Sequence, residues 1–311
     1  MNINNDHSTL KNLKKNKPNY LYEYLVDFNK SKNFEYKNSG GLRTKGVFKS
    51  FIHNKPLISI ITVSLNSEYT IEKTIQSVLK QNYDNIEYIV IDGNSNDRTL
   101  EIIKKYEGSI DFWISEKDNG IFNAINKGIA VCSGDIIGIL NSDDLLTENA
   151  LSLVKKYFEN DKIDFVFGSV EKERLLSGFN KEKINWKFNV YPAHSSGFFV
   201  KKNCHIKAGL YDEKFKLHAD YDLIYRMTCN LKLNGIAMER ADITGIFNIK
   251  GRSSEEEKIN YFYEEYKIRK KNKQNLIFIS LLIIFKYIYF ILFKIKILRK
   301  LFKFIQKKIN F

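Results

Sequence analysis

Asp135-Ile136-Ile137-Gly138-Ile139-Leu140-Asn141-Ser142-Asp143-Asp144 is a short apolar run that ends in an amide, a hydroxyl and two acids. Ile136, Ile137, Ile139 and Leu140 read as a buried strand. Such a strand delivers Asn141, Asp143 and Asp144 to its carboxyl end, where open α/β sheets bind their ligands. Neighbouring carboxylates repel unless a cation or a proton intervenes, and a divalent metal with oxygen ligands that also holds phosphates meets that need. A polar loop capping the following helix accounts for the same residues equally well.

The flanking sequence decides for the first reading. Leu57–Ser64 starts abruptly as a β-branched, nearly continuous apolar run, the pattern of a central parallel strand. Ser67 then caps a helix with Ile71, Ile75, Val78 and Leu79 on its apolar face, and Ile86–Asp92 is the next strand. A helix with Leu100, Ile103 and Tyr106, a strand at Ile110–Ser115 and a helix at Ile121–Val131 lead to the strand Asp135–Asn141. Alternating β and α segments with short connections predict a parallel, right-handed, doubly wound sheet, so Asn66, Asp92 and Asp143 should meet at one edge.

After a helix at Asn149–Phe158 the alternation loosens. Strands are expected at Phe165–Val170, Ile184–Val190, Gly197–Val200 and Ala241–Asn248, with a helix at Asp220–Leu231, an α+β half suited to an acceptor. Residues 1–55 begin rich in Lys and Asn, hold one helix-like patch at Tyr20–Phe28, and read as an extension. No charged stretch followed by an apolar core marks an export signal. The expected organisation is an extension at 1–55, a catalytic domain at 56–252 and a helical segment at 253–311.

The chain has 311 residues, of which 43% are hydrophobic, and a net charge of +14. Divided by position, the charge is +7 over residues 1–55, −6 over 56–265 and +13 over 266–311, where there is no acid. A nucleic-acid binder would carry its basic patch on the folded domain, whereas here that domain is acidic and the basic tail is interleaved with Phe, Ile, Leu and Tyr. An anionic membrane surface, reached through residues 275–311, is therefore the expected partner, and no nucleic acid is. A helix opening at Ser253 or Ser254, with acids in its first turn, should run to about Lys273. Residues 276–293 form an 18-residue apolar segment broken by Lys286, against the ~20 residues a membrane span needs. An interfacial or re-entrant anchor is expected, with a true span or a helix packed on a partner as alternatives. Cys132, Cys204 and Cys229 lie far apart without metal-ligand spacing, which fits free thiols in a reducing cytoplasm.

From Leu57 to Asp144 the sequence resembles the family 2 glycosyltransferases, whose catalytic domain has the GT-A fold, a Rossmann-like, mostly parallel sheet flanked by helices. Ser59–Asn66 corresponds to the family's first strand and turn, and Ile89–Thr99, with Asp92 and Asp97, to its second strand and acid-rich loop. Asp118–Gly128 and Ser133-Gly134-Asp135 lead into Leu140–Asp144, which stands where the family has its Asp-x-Asp metal motif. Farther on, His194–Phe199, Gly209–Glu213 and Ala219–Arg226 match the acceptor side, and the variants look closest to bacterial exopolysaccharide and colanic-acid transferases.

The resemblance implies an inverting transferase using a nucleotide-sugar donor, a UDP-sugar, with Mn²⁺ or Mg²⁺ as cofactor. Its acceptor would be a lipid-linked or growing glycan of a capsule, exopolysaccharide or lipopolysaccharide, at the cytoplasmic face of the inner membrane. Asp143 is then the metal ligand and Asp220 the base that takes the acceptor's proton. Thr62, Ser64, Asn66, Asp92, Asp118, Asn126, Asn141 and Ser142 fall on the donor side. Asp144, His194, Asp222 and Arg226 fall on the acceptor side or support the site. Asp92 and Asp220 also suit plain turn or cap roles. Departures from the pattern are Asn141 for the first metal-motif acid, Leu65 for a common Tyr, Val63 for a common Pro and Gly93 for a common second Asp. An amide oxygen still accepts a ribose hydroxyl or a metal-bound water. The rival expectation is a non-catalytic subunit of the same fold that binds sugar nucleotides or glycans.

Overall fold

The computed structural model describes residues 38–50, 52, 54–184, 195–247 and 257–294. The chain divides into two compact units, the larger built on a sheet and the smaller on two C-terminal helices. In chain order the larger unit contains β1 (Ser39–Gly40), β2 (Ile58–Ser64), α1 (Ile71–Leu79), β3 (Ile86–Asp92), α2 (Thr99–Lys105), β4 (Phe112–Ser115), α3 (Ile121–Val131) and β5 (Ile136–Asn141). It continues through β6 (Leu145–Leu146), α4 (Ala150–Phe158), β7 (Phe165–Phe167), β8 (Ser169–Glu171), β9 (Phe198–Lys201), α5 (Lys202–Ala208), α6 (Ala219–Tyr225), β10 (Gly235–Ala237) and β11 (Ile243–Ile246). The smaller unit holds α7 (Glu257–Lys271) and α8 (Leu276–Lys294).

Eight strands form one sheet in the order β1-β4-β3-β2-β5-β9-β7-β10. β4, β3, β2 and β5 run parallel, as the alternating pattern predicts, while β9 is antiparallel to both β5 and β7. Every residue of β2 is buried, which a strand covered on both faces requires. α1 turns Ile71, Ile75 and Val78 inward at helical spacing. Gly138 makes room for Phe199, its partner across the β5–β9 pairing, because a Cβ there would lie 2.6 Å from the Phe199 ring.

Several elements differ from the sequence expectation. The single strand foreseen at Phe165–Val170 divides at Gly168, whose N–H donates to Gly197 O at 2.8 Å. β7 stays in the large sheet, and β8 joins a second sheet ordered β6-β11-β8. Short α5 and β10, which lack a clear periodicity, were not foreseen. The helix at Asp220–Leu231 is α6 continued by a π turn over Arg226–Asn230. Tyr20–Phe28, His194, the basic residues beyond Lys294 and most of Ile184–Val190 lie outside the described residues. No helix among the described residues is long and apolar enough to cross a membrane.

Part of the expected extension is built into the sheet. β1 pairs antiparallel with β4, and Leu42 and Arg43 donate N–H bonds to Ile110 O and Asp111 O at 2.9 Å. The Arg43 guanidinium pairs with the buried Glu87 carboxylate and reaches Val131 O at 2.6 Å. Glu87 also accepts from Ser59 Oγ at 2.6 Å and from Ser133 N at 2.7 Å. Burial alone would push this carboxyl up; Arg43 and the serine donors outweigh it and hold Glu87 below the usual carboxylate range.

Candidate active site

Parallel register sets the site. Ser64 pairs with Asp92, Asp92 with Ser115, and Val63 with Asn141, so the carboxyl ends of β2, β3, β4 and β5 are level. Asp92 is fully buried there and accepts from Ser64 Oγ at 3.1 Å, Ser95 N at 3.0 Å, Ser95 Oγ at 2.5 Å and Ser115 Oγ at 2.6 Å. Both carboxylate oxygens are committed, so Asp92 anchors the loop after β3 beneath the edge. Thr62 is likewise buried and accepts from Tyr88 Oη at 3.1 Å. Asn66, exposed with φ of 51°, ties its own loop to the next by donating its N–H to Ser95 Oγ at 2.9 Å and accepting from Asn96 N at 3.0 Å. Asp97 accepts from Thr99 N at 3.0 Å and Glu68 N at 3.1 Å, a turn and cap role.

Asp118 follows β4 on the same edge. Its Oδ1 accepts from Gly120 N at 2.8 Å, while Oδ2 would lie 2.5 Å from a Cβ on Gly93. A side chain at position 93 and this placement of Asp118 exclude each other. At the end of β5 the chain is held from α1, whose Thr74 Oγ1 lies 3.0 Å from Ser142 O and 2.8 Å from Asp144 O. Ser142 Oγ lies 2.7 Å from Ser67 Oγ, and Asn141 Nδ2 donates to Asp144 Oδ2 at 3.2 Å and to Ser195 Oγ at 3.4 Å. Asp144 is wholly buried in that contact.

Asp143 is half-buried, and no described Lys or Arg pairs with it. Burial pushes its carboxyl above the usual range, opposed only by its own backbone N–H. Among the described residues no three His, Cys, Asp or Glu side chains gather around one point. The donor set fits a Mg²⁺ or Mn²⁺ ion that takes one carboxylate from the protein and its other oxygens from phosphates and water.

The second half is stitched to this edge through side chains. Asn126 of α3 is buried; its Oδ1 accepts from Tyr211 N at 3.0 Å, and its Nδ2 donates to Tyr211 O and to Glu213 Oε1, both at 2.9 Å. Asn123 Nδ2 holds the other Glu213 oxygen at 2.9 Å, and Phe122 stacks on Tyr211 with centroids 5.5 Å apart. The amide of Asn126 is thus spent on protein; its position is a clamp on the loop, where a donor contact was expected. Asn123, Tyr211 and Glu213 were not singled out from sequence as members of such a clamp. Their one signal is the spacing of Asn123 and Asn126, which puts both amides on one helix face.

The clamped loop leads to α6. Lys216 Nζ donates to Asn119 O at 2.8 Å, which places the loop at the amino end of α3 and so on the carboxyl side of the sheet. Asp220, half-buried in the first turn of α6, accepts from Tyr221 N at 2.7 Å. Burial pushes the Tyr211 hydroxyl up, and the charge of Asp220 adds to the effect, so the two groups are neighbours. Asp222, wholly buried, accepts from Arg226 Nε at 2.8 Å, and the same guanidinium donates to Ala208 O and to Leu210 O, the latter at 2.7 Å. Asp222 and Arg226 thus brace the start of the loop. A separate cavity of about 900 Å³, lined among others by Lys55, Asp135, Lys155 and Lys202, lies at the amino ends of β2 and β5, away from these acids.

A doubly wound, mostly parallel sheet with an antiparallel strand set between β5 and β7 is the architecture of the GT-A fold. The sequence profile of glycosyl transferase family 2 matches residues 59–214, about half of the chain, and the chain belongs to that family. It is 30% identical over 203 residues, 61% of this chain and 77% of the other, to an uncharacterized glycosyltransferase of Mycobacterium tuberculosis. It is 34% identical over 151 residues, 48% of this chain and 57% of the other, to the UDP-Glc:alpha-D-GlcNAc-diphosphoundecaprenol beta-1,3-glucosyltransferase WfgD of Escherichia coli. Among solved structures, Staphylococcus aureus TarS 1-349 in complex with UDP-GlcNAc superposes with a TM-score of 0.55 at 15% identity, over 73% of this chain and 70% of that one. The mannosyltransferase PcManGT from Pyrobaculum calidifontis, in complex with GDP-Man and Mn²⁺, also gives 0.55, at 16% identity over 71% and 65%. These structural likenesses carry the fold.

Proposed function

We propose that this glycosyltransferase is inverting and divalent-cation-dependent, and moves a hexosyl or N-acetylhexosaminyl group from a UDP-sugar to a hydroxyl of a lipid-linked or growing glycan in surface-polysaccharide synthesis. The reading rests on one placement: a half-buried Asp143, unpaired among the described residues, at the sheet's carboxyl edge, on the side to which the clamped loop brings Asp220. Asp143 would hold the Mg²⁺ or Mn²⁺, which supplies neutralisation of the diphosphate's charge. Asp118, Asn141, Ser142, Ser64 and Asn66 surround the donor side, with Thr62 and Asp92 fixing their loops from below.

The acceptor oxygen attacks the anomeric carbon from the face opposite the diphosphate. Asp220 takes the hydroxyl proton, and the bond from the anomeric carbon to the phosphate oxygen breaks, leaving its electron pair on the nucleoside diphosphate. One displacement inverts the anomeric configuration. The names of WfgD, with its diphosphoundecaprenol-linked acceptor, and of TarS bound to UDP-GlcNAc support the acceptor and donor classes. Lys294, Lys296, Arg299, Lys300, Lys303, Lys307 and Lys308, with no acid among them, support peripheral attachment at the cytoplasmic membrane face.

Mass-spectrometric screening of nucleotide-sugar hydrolysis with Mn²⁺ or Mg²⁺ tests the reading, and one UDP-sugar should be consumed. Asp220→Asn should abolish transfer and keep donor binding; turnover surviving in that variant would overturn the base assignment.

A further inference from the structure

The smaller unit is built inside out. Before Lys294, α8 has one charged residue, Lys286, and it points inward: it is 3% exposed and its Nζ donates to both Glu265 oxygens at 2.6 and 2.7 Å. Arg269 of α7, fully buried, donates from Nε to the same carboxylate at 2.8 Å and from Nη1 to Gln274 Oε1 at 2.9 Å. Burial draws the Lys286 ammonium down from its usual range while Glu265 opposes the shift. The outer side of α8 is apolar: Ile277 is 73% exposed and Leu281 63%, with Ile284, Phe285 and Ile288 about half exposed. Residues 277, 281, 284 and 288 recur at the spacing of one helical face. Water would favour the reverse arrangement, since large contiguous apolar patches on soluble proteins mark interaction surfaces.

Charge selects what covers this face. Residues 266–311 contain 13 basic residues and no acid, so a second copy of the chain would bring like charges together, whereas an anionic lipid surface neutralises them. Length and charge set the orientation. No described helix is long and apolar enough to cross a membrane, and the inner side of α8 carries an ionic node that hydrocarbon would exclude. Its 19 residues, roughly 28 Å long, can lie flat with one side in the acyl region and the other toward the headgroups.

We infer that α8 is an in-plane anchor for an anionic membrane, its Ile277–Leu281–Ile284–Ile288 face in the acyl layer and its only interior charge withdrawn into the Glu265–Lys286–Arg269 clasp. The inference deepens the peripheral attachment proposed above and names its contact surface. Full-length protein is floated with vesicles of phosphatidylglycerol and phosphatidylethanolamine, and with phosphatidylcholine alone. Wild type should float with the anionic vesicles, and the triple variant I277S/L281S/I284S should partition at least about tenfold more weakly with unchanged circular dichroism and donor hydrolysis. Tryptophan placed by Ile284→Trp should be quenched by bromine on the lipid acyl chains. Unchanged flotation of the triple variant, or no acyl-chain quenching, would overturn the inference. So would light scattering that shows a wild-type dimer made monomeric by the triple variant without loss of vesicle binding, which makes a second copy the occupant. Wild type that floats but hydrolyses no nucleotide sugar would strike the transferase reading alone.

Discussion

Removal of the Asn126 amide tests how the two halves of the catalytic unit are joined. Asn126→Ala deletes three hydrogen bonds of 2.9 to 3.0 Å and leaves the Tyr211 N–H and C=O without that partner in a buried setting. Each buried polar group so stranded costs about 1–3 kcal/mol. Glu213 keeps Asn123 and loses only one of its two amide donors, so the backbone groups of Tyr211 dominate and the total comes to about 2–5 kcal/mol. For a domain of this size each kcal/mol moves Tm by roughly 2–4 °C, which predicts a fall of about 4–20 °C in a calorimetric scan. The loop from Tyr211 to Asp220 should loosen as well, so transfer should fall more than donor affinity. A Tm within about 2 °C of wild type would show that Asn126 is not the clamp described, and loss of donor affinity at unchanged Tm would return it to the donor site.

Arg43→Ala strands the buried Glu87 carboxylate and should cost about 3–5 kcal/mol in urea unfolding; a cost under about 1 kcal/mol would mean that the segment before β2 is not part of the folded unit. Burial pushes the His205 imidazole down to about 4, so the folded state takes up its proton later than the unfolded chain does. This contribution to stability is complete above about 6.5 and is lost as pH falls from there towards 4, by about 3 kcal/mol; His205→Leu should flatten the dependence over that window, and an unaltered slope would refute the assignment. Gly93→Ala should displace the Asp118 carboxylate and weaken UDP binding by about tenfold in calorimetry. Asp118→Ala in the same background should add little, and additive losses would show that the two positions act separately.

The parallel half of the sheet was readable because its strands are buried on both faces and its helices on one, so the period of apolar residues reports the element directly. Ile58–Ser64 and Ile71–Leu79 lie where that period puts them. Periodicity is silent on short segments: β1 is two residues long and is fixed by pairing with β4 and by Arg43, contacts that join positions 44 and more apart in the chain. The same limit split the strand at Gly168, where the backbone leaves one sheet for another. Among candidate site residues, sequence could place acids at the ends of strands but could not say which oxygens were already engaged. Asp92, Asp143 and Asp144 occupy similar strand-end positions, yet the hydroxyls of Ser64, Ser95 and Ser115 turn the first into a structural anchor.

Burial and partners therefore divide the acids of this edge by task. Asp92 is surrounded by donors, Asp144 faces Asn141, and Asp222 is matched to Arg226; each has its charge answered from within the protein. Asp143 differs, because burial raises its carboxyl and only its own backbone N–H opposes the shift. A group in that condition gains most from an external cation, whose charge offsets a desolvation cost already present in the fold. Mn²⁺ or Mg²⁺ brought with UDP should therefore raise Tm in the wild type and not in Asp143→Asn, since only a ligand that prefers the folded state shifts the transition. An equal rise in both proteins would place the cation elsewhere and leave the strain at Asp143 without a partner.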